Sequence, residues 1–239
     1  MRDIAPTNII FQKILTILTS WTGYSHIVEA MDQFPNMNIY LAGGAVRNVI
    51  LCRKEKPKDF DFFIRGESYL LAVEKITKHG RILRGPFGSP RWFPESSAAQ
   101  YCDLVSIARV DHGLGPCRDI TDVLRQFDFT GNAIAVDLRT GEIFDPVNGV
   151  LDLNSRIMRG VRFDFPSEPI APGQTLTRPA AQWFRILHYS AKLNLNIEPL
   201  TCRWLLENQH YFREYEAFVA SYFTPHPQIL DVFSKIAQP

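Results

Sequence analysis

Apolar positions near the start of the chain follow two different periods. Residues 9–21 and 27–34 carry apolar side chains three and four positions apart, which predicts two amphipathic helices. Residues 39–42 then form a short apolar run that ends at Gly43-Gly44, and a helical spacing resumes over 45–51. The pattern therefore predicts a strand, a glycine turn and a helix in succession.

Strand and helix patterns continue to alternate beyond residue 51. The pattern predicts strands at 59–64 and 101–109, a helix at 67–79, and a hairpin at 134–145 that turns at Arg139-Thr140-Gly141. Between the last helix and the long strand lies GPFGSPRWFPESS, whose glycines and prolines are typical of a hairpin or a mobile loop. This mixture predicts an α/β or α+β domain.

The composition changes near residue 163. FDFPSEPIAPGQTLTRP is rich in proline and polar residues and lacks periodicity, as a linker would. Helical spacing returns beyond this stretch, at residues 180–195, 200–208, 211–222 and 228–236. We therefore expect a first domain over residues 1–165 and a small helical domain over 166–239.

Charge and cysteine content exclude several classes of protein. Lys and Arg (26) nearly balance Asp and Glu (25), so any nucleic acid must meet a local patch rather than a global positive field. The four cysteines show no CxxC pairing and no nearby histidine, which argues against a zinc site and a disulfide framework. The chain shows neither a signal peptide nor a run of about 18 apolar residues. We expect a soluble, cytoplasmic protein with no membrane partner.

Candidate chemistry is concentrated in residues 41–64, LAGGAVRNVILCRKEKPKDFDFFI. Because side chains alternate along a strand, Asp59 and Asp61 share one face while the intervening phenylalanines point into the core. Mg²⁺ prefers carboxylate and phosphate oxygens, so this face suits a metal-bound triphosphate. Gly43 and Gly44 allow the backbone to approach that phosphate closely. A lone DxD is also found at solvated strand ends and helix caps, but the glycine turn upstream favours the metal site.

These motifs resemble those of the poly(A) polymerase and tRNA CCA-adding family, within the polymerase beta-like nucleotidyltransferases. The family's GGAVRD-type turn appears as GGAVRN at 43–48, with Asn48 in place of the usual acid, and its KDIDL-type strand appears as KDFDF at 58–62. The similarity continues through YCDLVSIAR at 101–109 and DFTGNAIAVDLRTGEIFDPVNGVLDL at 128–153. Several ordered motifs at compatible spacing are far more specific than any one of them.

The resemblance implies a fold, an activity and a set of site residues. The fold is α+β, a nucleotidyltransferase head with a mixed sheet and helices, followed by a small all-helical neck. The activity is magnesium-dependent transfer of a nucleoside monophosphate from an NTP such as ATP to a hydroxyl. The acceptor is an RNA (tRNA-like) 3′ end, so the protein would be RNA-binding. Two Mg²⁺ ions, or Mn²⁺ instead, are held by three catalytic carboxylates: Asp59, Asp61 and Asp103. The nucleotide is bound by Gly43, Gly44, Arg47, Asp128, Asn132 and Arg185.

Several of these residues have structural alternatives. Asp103 could be a surface residue of an edge strand, on a face that also carries Arg109. Asp128 and Asn132 could form a turn and a helix cap. Arg47 could cap its helix or pair with an acid instead of contacting a triphosphate. These alternatives stay open at the level of the sequence.

The chain departs from the family where the incoming base is chosen. The EDxxR motif of bacterial CCA-adding members corresponds here to RPAAQ at 178–182, and the paired arginines before DFT are replaced by Gln126 and Phe127, although Arg125 and Arg185 are close in sequence. We therefore expect no standard CCA-adding role. Two alternative functions are transfer to a protein or small-molecule acceptor and an inactive nucleotide-binding regulatory module. The sequence fixes neither the NTP nor the oligomeric state.

Overall fold

The computed structural model describes residues 6–85, 88–95 and 100–237. Contacts divide the chain into two compact units, which interleave along the sequence. The first comprises Met1–Asp111, Pro116–Leu124 and Ile134–Pro146, and the second comprises His112–Gly115, Arg125–Ala133 and Val147–Pro239. The domain boundary expected at residue 165 stays a prediction.

The first unit is built on a mixed seven-stranded sheet in the order β3-β4-β5-β2-β1-β6-β7. Its strands are β1 Asn38–Ala42, β2 Asp59–Arg65, β3 Gly80–Arg84, β4 Pro90–Pro94, β5 Tyr101–Ser106, β6 Ala135–Asp137 and β7 Ile143–Phe144. β2 and β5 are parallel, whereas the other neighbouring pairs are antiparallel. The predicted mixed sheet is confirmed.

Helices of the first unit cover the sheet. They are α1 Pro6–Thr19, α2 Tyr24–Gln33, α3 Gly44–Ile50, α4 Tyr69–Thr77 and α5 Ile120–Leu124. Trp21, between α1 and α2, is fully buried and lies 4.9 Å from the ring of Phe60, 6.1 Å from that of Phe62 and 5.9 Å from that of Trp92, measured between centroids. This aromatic cluster attaches the N-terminal helices to one face of β2.

Two predicted β elements of this unit differ in extent from the structure. The strand expected over 101–109 ends at Ser106, because the chain turns into a 3₁₀ helix at Ile107–Arg109. The Gly/Pro-rich stretch, residues 85–97, belongs to a hairpin, since β4 lies within it and pairs with β3 just before it. Its residues 86–87 and 96–97 lie outside the described residues. The hairpin over 134–145 is confirmed as β6 and β7.

The second unit is mainly helical. Its helices are α6 Gly149–Asn154, α7 Arg178–Leu193, α8 Pro199–Glu207, α9 Tyr215–Ser221 and α10 Ile229–Ile236. The helix expected over 211–222 is instead a 3₁₀ helix at Gln209–Glu214 followed by α9. The two-residue strands β8 Ile157–Met158 and β9 Asn196–Ile197 pair in parallel, so the C-terminal region is not purely helical.

Helix α7 has the sequence signals of a well-defined helix. Thr177 caps its N-terminus by accepting a hydrogen bond from the backbone N–H of Ala180, and Pro179 stands in the first turn. Asn194 ends the helix in the left-handed conformation. No described helix combines the length and apolar character required to cross a membrane.

Candidate active site

The two faces of β2 separate packing from chemistry. Phe60 and Phe62 are fully buried, whereas Asp59 is exposed and Asp61 is half-buried. A shift of the strand by one residue would exchange these faces, and the contacts of both phenylalanines with Trp21 oppose that shift. The prediction that the two aspartates share the face opposite the core is confirmed.

Asp103 joins the same face from the neighbouring strand. Because β2 and β5 are parallel and Asp61 is in register with Asp103, their side chains project from the same side of the sheet. β5 lies between β4 and β2, so it is an interior strand. The alternative that Asp103 is on an edge strand is therefore wrong.

Arg91 is a site residue that the sequence analysis missed. It lies opposite Asp103 in the antiparallel β4–β5 pair, and its Nε and Nη2 each donate to one carboxylate oxygen of Asp103 at 2.8 Å. The two side chains are only 25% and 14% exposed, so water screens this bidentate pair weakly. Hydrogen bonding to Asp103 raises the pKa of Arg91 above its already high ordinary value. In this state of the protein, Asp103 is neutralised by an arginine.

Tyr101 links this pair to Asp59. Its hydroxyl donates to Oδ2 of Asp59 at 3.2 Å, and its ring lies 4.4 Å from the guanidinium carbon of Arg91. Partial burial, reinforced by the charge of Asp59, raises the pKa of Tyr101 to about 12. The hydroxyl is consequently protonated at neutral pH and remains a donor to the carboxylate.

The glycine turn lies between β1 and α3. Gly43 has φ 74° and ψ −137°, a conformation that side chains other than hydrogen strongly disfavour. Gly44 begins α3, and Arg47 follows on the next turn with its guanidinium close to it: a Cβ on Gly44 would lie 3.5 Å from Nη2. Arg47 is buried and donates to the side-chain oxygen of Asn48. The residue that replaces the family's acid is thus a neutral partner of this arginine.

The remaining predicted nucleotide-binding residues form a group of their own in the second unit. Oδ1 of Asp128 accepts from the backbone N–H of Phe129 at 3.0 Å and from the amide of Asn132 at 3.2 Å. Its Oδ2 accepts from Nε of Arg185 at 2.6 Å. The rings of Tyr189 and Tyr222 lie 5.5 and 5.4 Å from that guanidinium. The structure therefore brings Asp128, Asn132 and Arg185 into direct contact, and the turn at 128–132 is ordered by the same bonds.

Gln182, which the sequence resemblance places at the position of the family's arginine, has a structural role in this unit. Its Nε2 donates to the backbone carbonyls of Asp128 and Arg162, at 2.8 and 2.7 Å. These two acceptors fix the orientation of the amide. Its Oε1 is buried and has no hydrogen-bond partner among the described residues. The side chain therefore braces the turn that carries Asp128.

Comparisons with known proteins agree with this architecture. Residues 96–159, which include Asp103, Asp128 and Asn132, match the family model of the poly A polymerase head domain. This match supports the resemblance of the chain to the head domains of the poly(A) polymerase and CCA-adding family. A multifunctional CCA protein of Xanthomonas euvesicatoria is 33% identical over 148 residues, covering 56% of this chain and 33% of the relative. A CCA-adding enzyme of Actinobacillus succinogenes is 30% identical over 145 residues with the same coverage.

Solved structures extend the similarity of fold beyond that segment. A CCA-adding enzyme in complex with ATP superposes with a TM-score of 0.63 at 22% identity, covering 92% of this chain and 50% of that one. The Thermotoga maritima CCA-adding enzyme complexed with tRNA gives 0.64 at 20% identity, covering 87% and 48%. The chain spans about a third of the length of the curated relatives that it matches.

Proposed function

We propose that the chain is a nucleotidyltransferase that joins a nucleoside monophosphate from an NTP to the 3′ hydroxyl of an RNA. The hydroxyl loses its proton to solvent and its oxygen attacks the α-phosphorus; the bond from that phosphorus to the oxygen bridging to the β-phosphorus breaks, and pyrophosphate leaves. One observation carries the proposal: Asp59, Asp61 and Asp103 share one face of adjacent strands, and the segment with Asp103 matches the poly A polymerase head domain. The activity of the relatives named above and the tRNA and nucleotides in the solved complexes support an RNA acceptor.

The donor set on this face fits Mg²⁺. Asp59 and Asp61 offer carboxylate oxygens on an accessible surface, which is the chemistry that Mg²⁺ selects, and Mn²⁺ shares it. Bound there, the ion would lower the pKa of the acceptor hydroxyl and neutralise charge on the triphosphate. Asp103 can become a third ligand once its oxygens are released by Arg91. The released guanidinium would then be available to a phosphate, for which a planar fork of donors is well suited.

The glycine turn would receive the triphosphate. Gly44 leaves the backbone open to a close approach, and the guanidinium of Arg47 beside it supplies positive charge. In the second unit, Asp128, Asn132 and Arg185 would bind the nucleoside.

A transfer assay tests the proposal directly. Purified protein is incubated with Mg²⁺ and each α-labelled NTP in turn, together with total RNA that has or has not been treated with nuclease. We expect label on RNA, and we expect Asp59→Asn and Asp61→Asn each to abolish it while leaving the unfolding transition intact. Glu74→Gln, which changes an exposed acid of the same unit, is the matched control. Wild-type turnover in either aspartate variant would refute the site assignment.

Other outcomes of this assay identify the alternatives. Label on protein or on a small molecule instead of RNA would move the acceptor to that class. Measurable NTP binding without transfer to any acceptor would assign the chain as a regulatory nucleotide-binding module.

The chain should not build an ordered C-C-A sequence. A site that discriminates bases needs donors and acceptors held against the base edge, and here Gln182 uses its donors on two backbone carbonyls while Arg185 is paired with Asp128. We expect one preferred nucleotide or relaxed choice, without a switch from C to A. The measurement is sequencing of products made from tRNA lacking CCA with all four NTPs. Faithful CCA ends made by this chain alone would contradict it.

A further inference from the structure

A second group of potential metal ligands lies in the first unit, on residues to which the proposed function gives no role. His26 is on α2, Glu29 is three residues further along the same helix, and His79 stands between α4 and β3. One ligand atom from each lies within 4.8 Å of the other two. Helical spacing places His26 and Glu29 on the same face, so both can reach one ion.

The geometry of the two imidazoles is specific. Their rings stack with centroids 4.2 Å apart and planes inclined by 8°. The edge of the Trp92 ring, 5.8 Å away between centroids, packs against His26. Nδ1 of His26 is buried and has no hydrogen-bond partner among the described residues, and it lies 3.9 Å from Oε2 of Glu29. A buried polar nitrogen in this condition is uncommon in folded proteins and indicates a missing partner.

Both sides of the group are anchored to the fold. Ile27 and Ala30, on either side of this face of α2, are fully buried. On the other side, the backbone carbonyl of His79 accepts a hydrogen bond from the N–H of Glu95, and the backbone N–H of His79 donates to the carbonyl of Ile76. Glu29 and His79 are exposed, so their side chains can rotate towards a shared ion without disturbing the core.

The donor set selects the kind of ion. Two imidazole nitrogens and a carboxylate are typical ligands of Zn²⁺ and its first-row neighbours, whereas Mg²⁺ requires oxygen ligands. With metal–ligand bonds of about 2.1 Å, the ligand atoms of a tetrahedral site are about 3.4 Å apart, so an approach of about 1.4 Å at most would complete it. Three protein ligands would leave a fourth position for water.

We propose that His26, Glu29 and His79 bind one divalent transition-metal ion of the zinc class, separately from the aspartates of the candidate active site. The ion links α2 to the segment that joins α4 and β3. Binding therefore stabilises the packing of α2 against the sheet.

Cobalt binding tests the proposal, because tetrahedral Co²⁺ absorbs visible light and reports its ligands. The full-length Asp59→Asn/Asp61→Asn double variant is titrated with Co²⁺, so that the acidic face does not compete. We expect one Co²⁺ per chain, displaced by Zn²⁺, and a thermal midpoint that rises with Zn²⁺. Since even the loss of a residue supporting a metal ligand weakens affinity about 10- to 100-fold, His79→Gln should weaken binding at least about tenfold.

The control is His210→Gln, which changes an exposed histidine of the second unit and should leave Co²⁺ binding unchanged. His79 is exposed, so its replacement should preserve the fold, and the metal-free thermal midpoint verifies this. The proposal would be overturned if Co²⁺ failed to bind the double variant. It would also be overturned if the double variant bound Co²⁺ with equal affinity with and without the added His79→Gln substitution. Loss of binding in the His210→Gln control would also overturn it, by placing the ion elsewhere. None of these outcomes depends on transferase activity.

Discussion

Alanine at each of the two glycines of the turn separates backbone strain from ligand binding. Gly43 occupies a conformation (φ 74°, ψ −137°) reserved almost entirely for glycine, and imposing it on another residue costs about 1–3 kcal/mol. Alanine also lowers the conformational entropy of the unfolded chain, which stabilises the folded protein by about 0.4–1 kcal/mol. With the mid-range values of about 2 and about 0.7 kcal/mol, Gly43→Ala should destabilise the protein by a net amount of about 1.3 kcal/mol.

Gly44→Ala should behave differently. The residue is the first of α3, alanine favours helix over glycine by up to about 1 kcal/mol, and the new Cβ would meet Nη2 of Arg47 at an ordinary 3.5 Å. Its stability should equal or exceed that of the wild type. If a triphosphate approaches the backbone here, however, the added methyl group occupies its space, and the KM for NTP should rise more than kcat falls.

Urea unfolding of both variants gives the stability comparison, and initial rates over a range of NTP concentrations give the kinetic one. A lower midpoint at an unchanged slope would identify a true loss of stability in Gly43→Ala. Equal midpoints for the two variants would refute the assignment of strain to Gly43. An unchanged KM in Gly44→Ala would refute close phosphate approach while leaving the strain argument intact.

Two further predictions concern ionised side chains. Arg91→Met leaves Asp103 unpaired and partly buried, so it should lower the free energy of unfolding by about 1–3 kcal/mol without metal, less than the loss of a partner in a fully buried pair. Mg²⁺ should recover part of this loss, which urea unfolding with and without Mg²⁺ measures. Equal losses in the two conditions would show that Asp103 gains no cation. Glu198→Ala removes the N-cap of α8 and should cost about 0.5–2 kcal/mol at neutral pH. Burial alone would raise the pKa of Glu198, but hydrogen bonds from Leu200 and Thr201 outweigh it and lower the pKa. The stabilisation is therefore lost as the pH falls through the lowered pKa, so the thermal midpoints of wild type and variant should converge in acid; a constant difference would contradict this.

The part of the site that the sequence predicts is the part specified by local pattern. The strand, glycine turn, helix and DxD strand at residues 38–65 are contiguous, and alternation alone places Asp59 and Asp61 opposite Phe60. The terminal helices likewise repeat an apolar spacing over two or more turns. Such features require no knowledge of the tertiary structure.

The missed features depend on pairing between distant segments or are too short to show a period. α5 and α6 have five and six residues, fewer than two turns. β8 and β9 have two residues each, and they pair across a long stretch of chain that includes α7. Arg91 gains its partner only through the register of β4 with β5. Had GPFGSPRWFPESS been assigned to a strand, the preference for opposite charges across a strand pair would have pointed to Asp103.

Gln182 illustrates why base selection is harder to infer from sequence than catalysis. Its identity suggests a neutral substitute for a base-reading arginine, yet both donors of its amide are used on the carbonyls of Asp128 and Arg162. Through Asp128 the same turn is tied to Arg185, whose guanidinium lies near two tyrosine rings. A substitution at any member of this group leaves buried polar atoms without partners, which costs more than the contact itself contributes. Replacing Gln182 with arginine should therefore disturb the turn rather than restore the family's mode of base recognition, because a guanidinium would have to be accommodated where a braced, buried amide now lies.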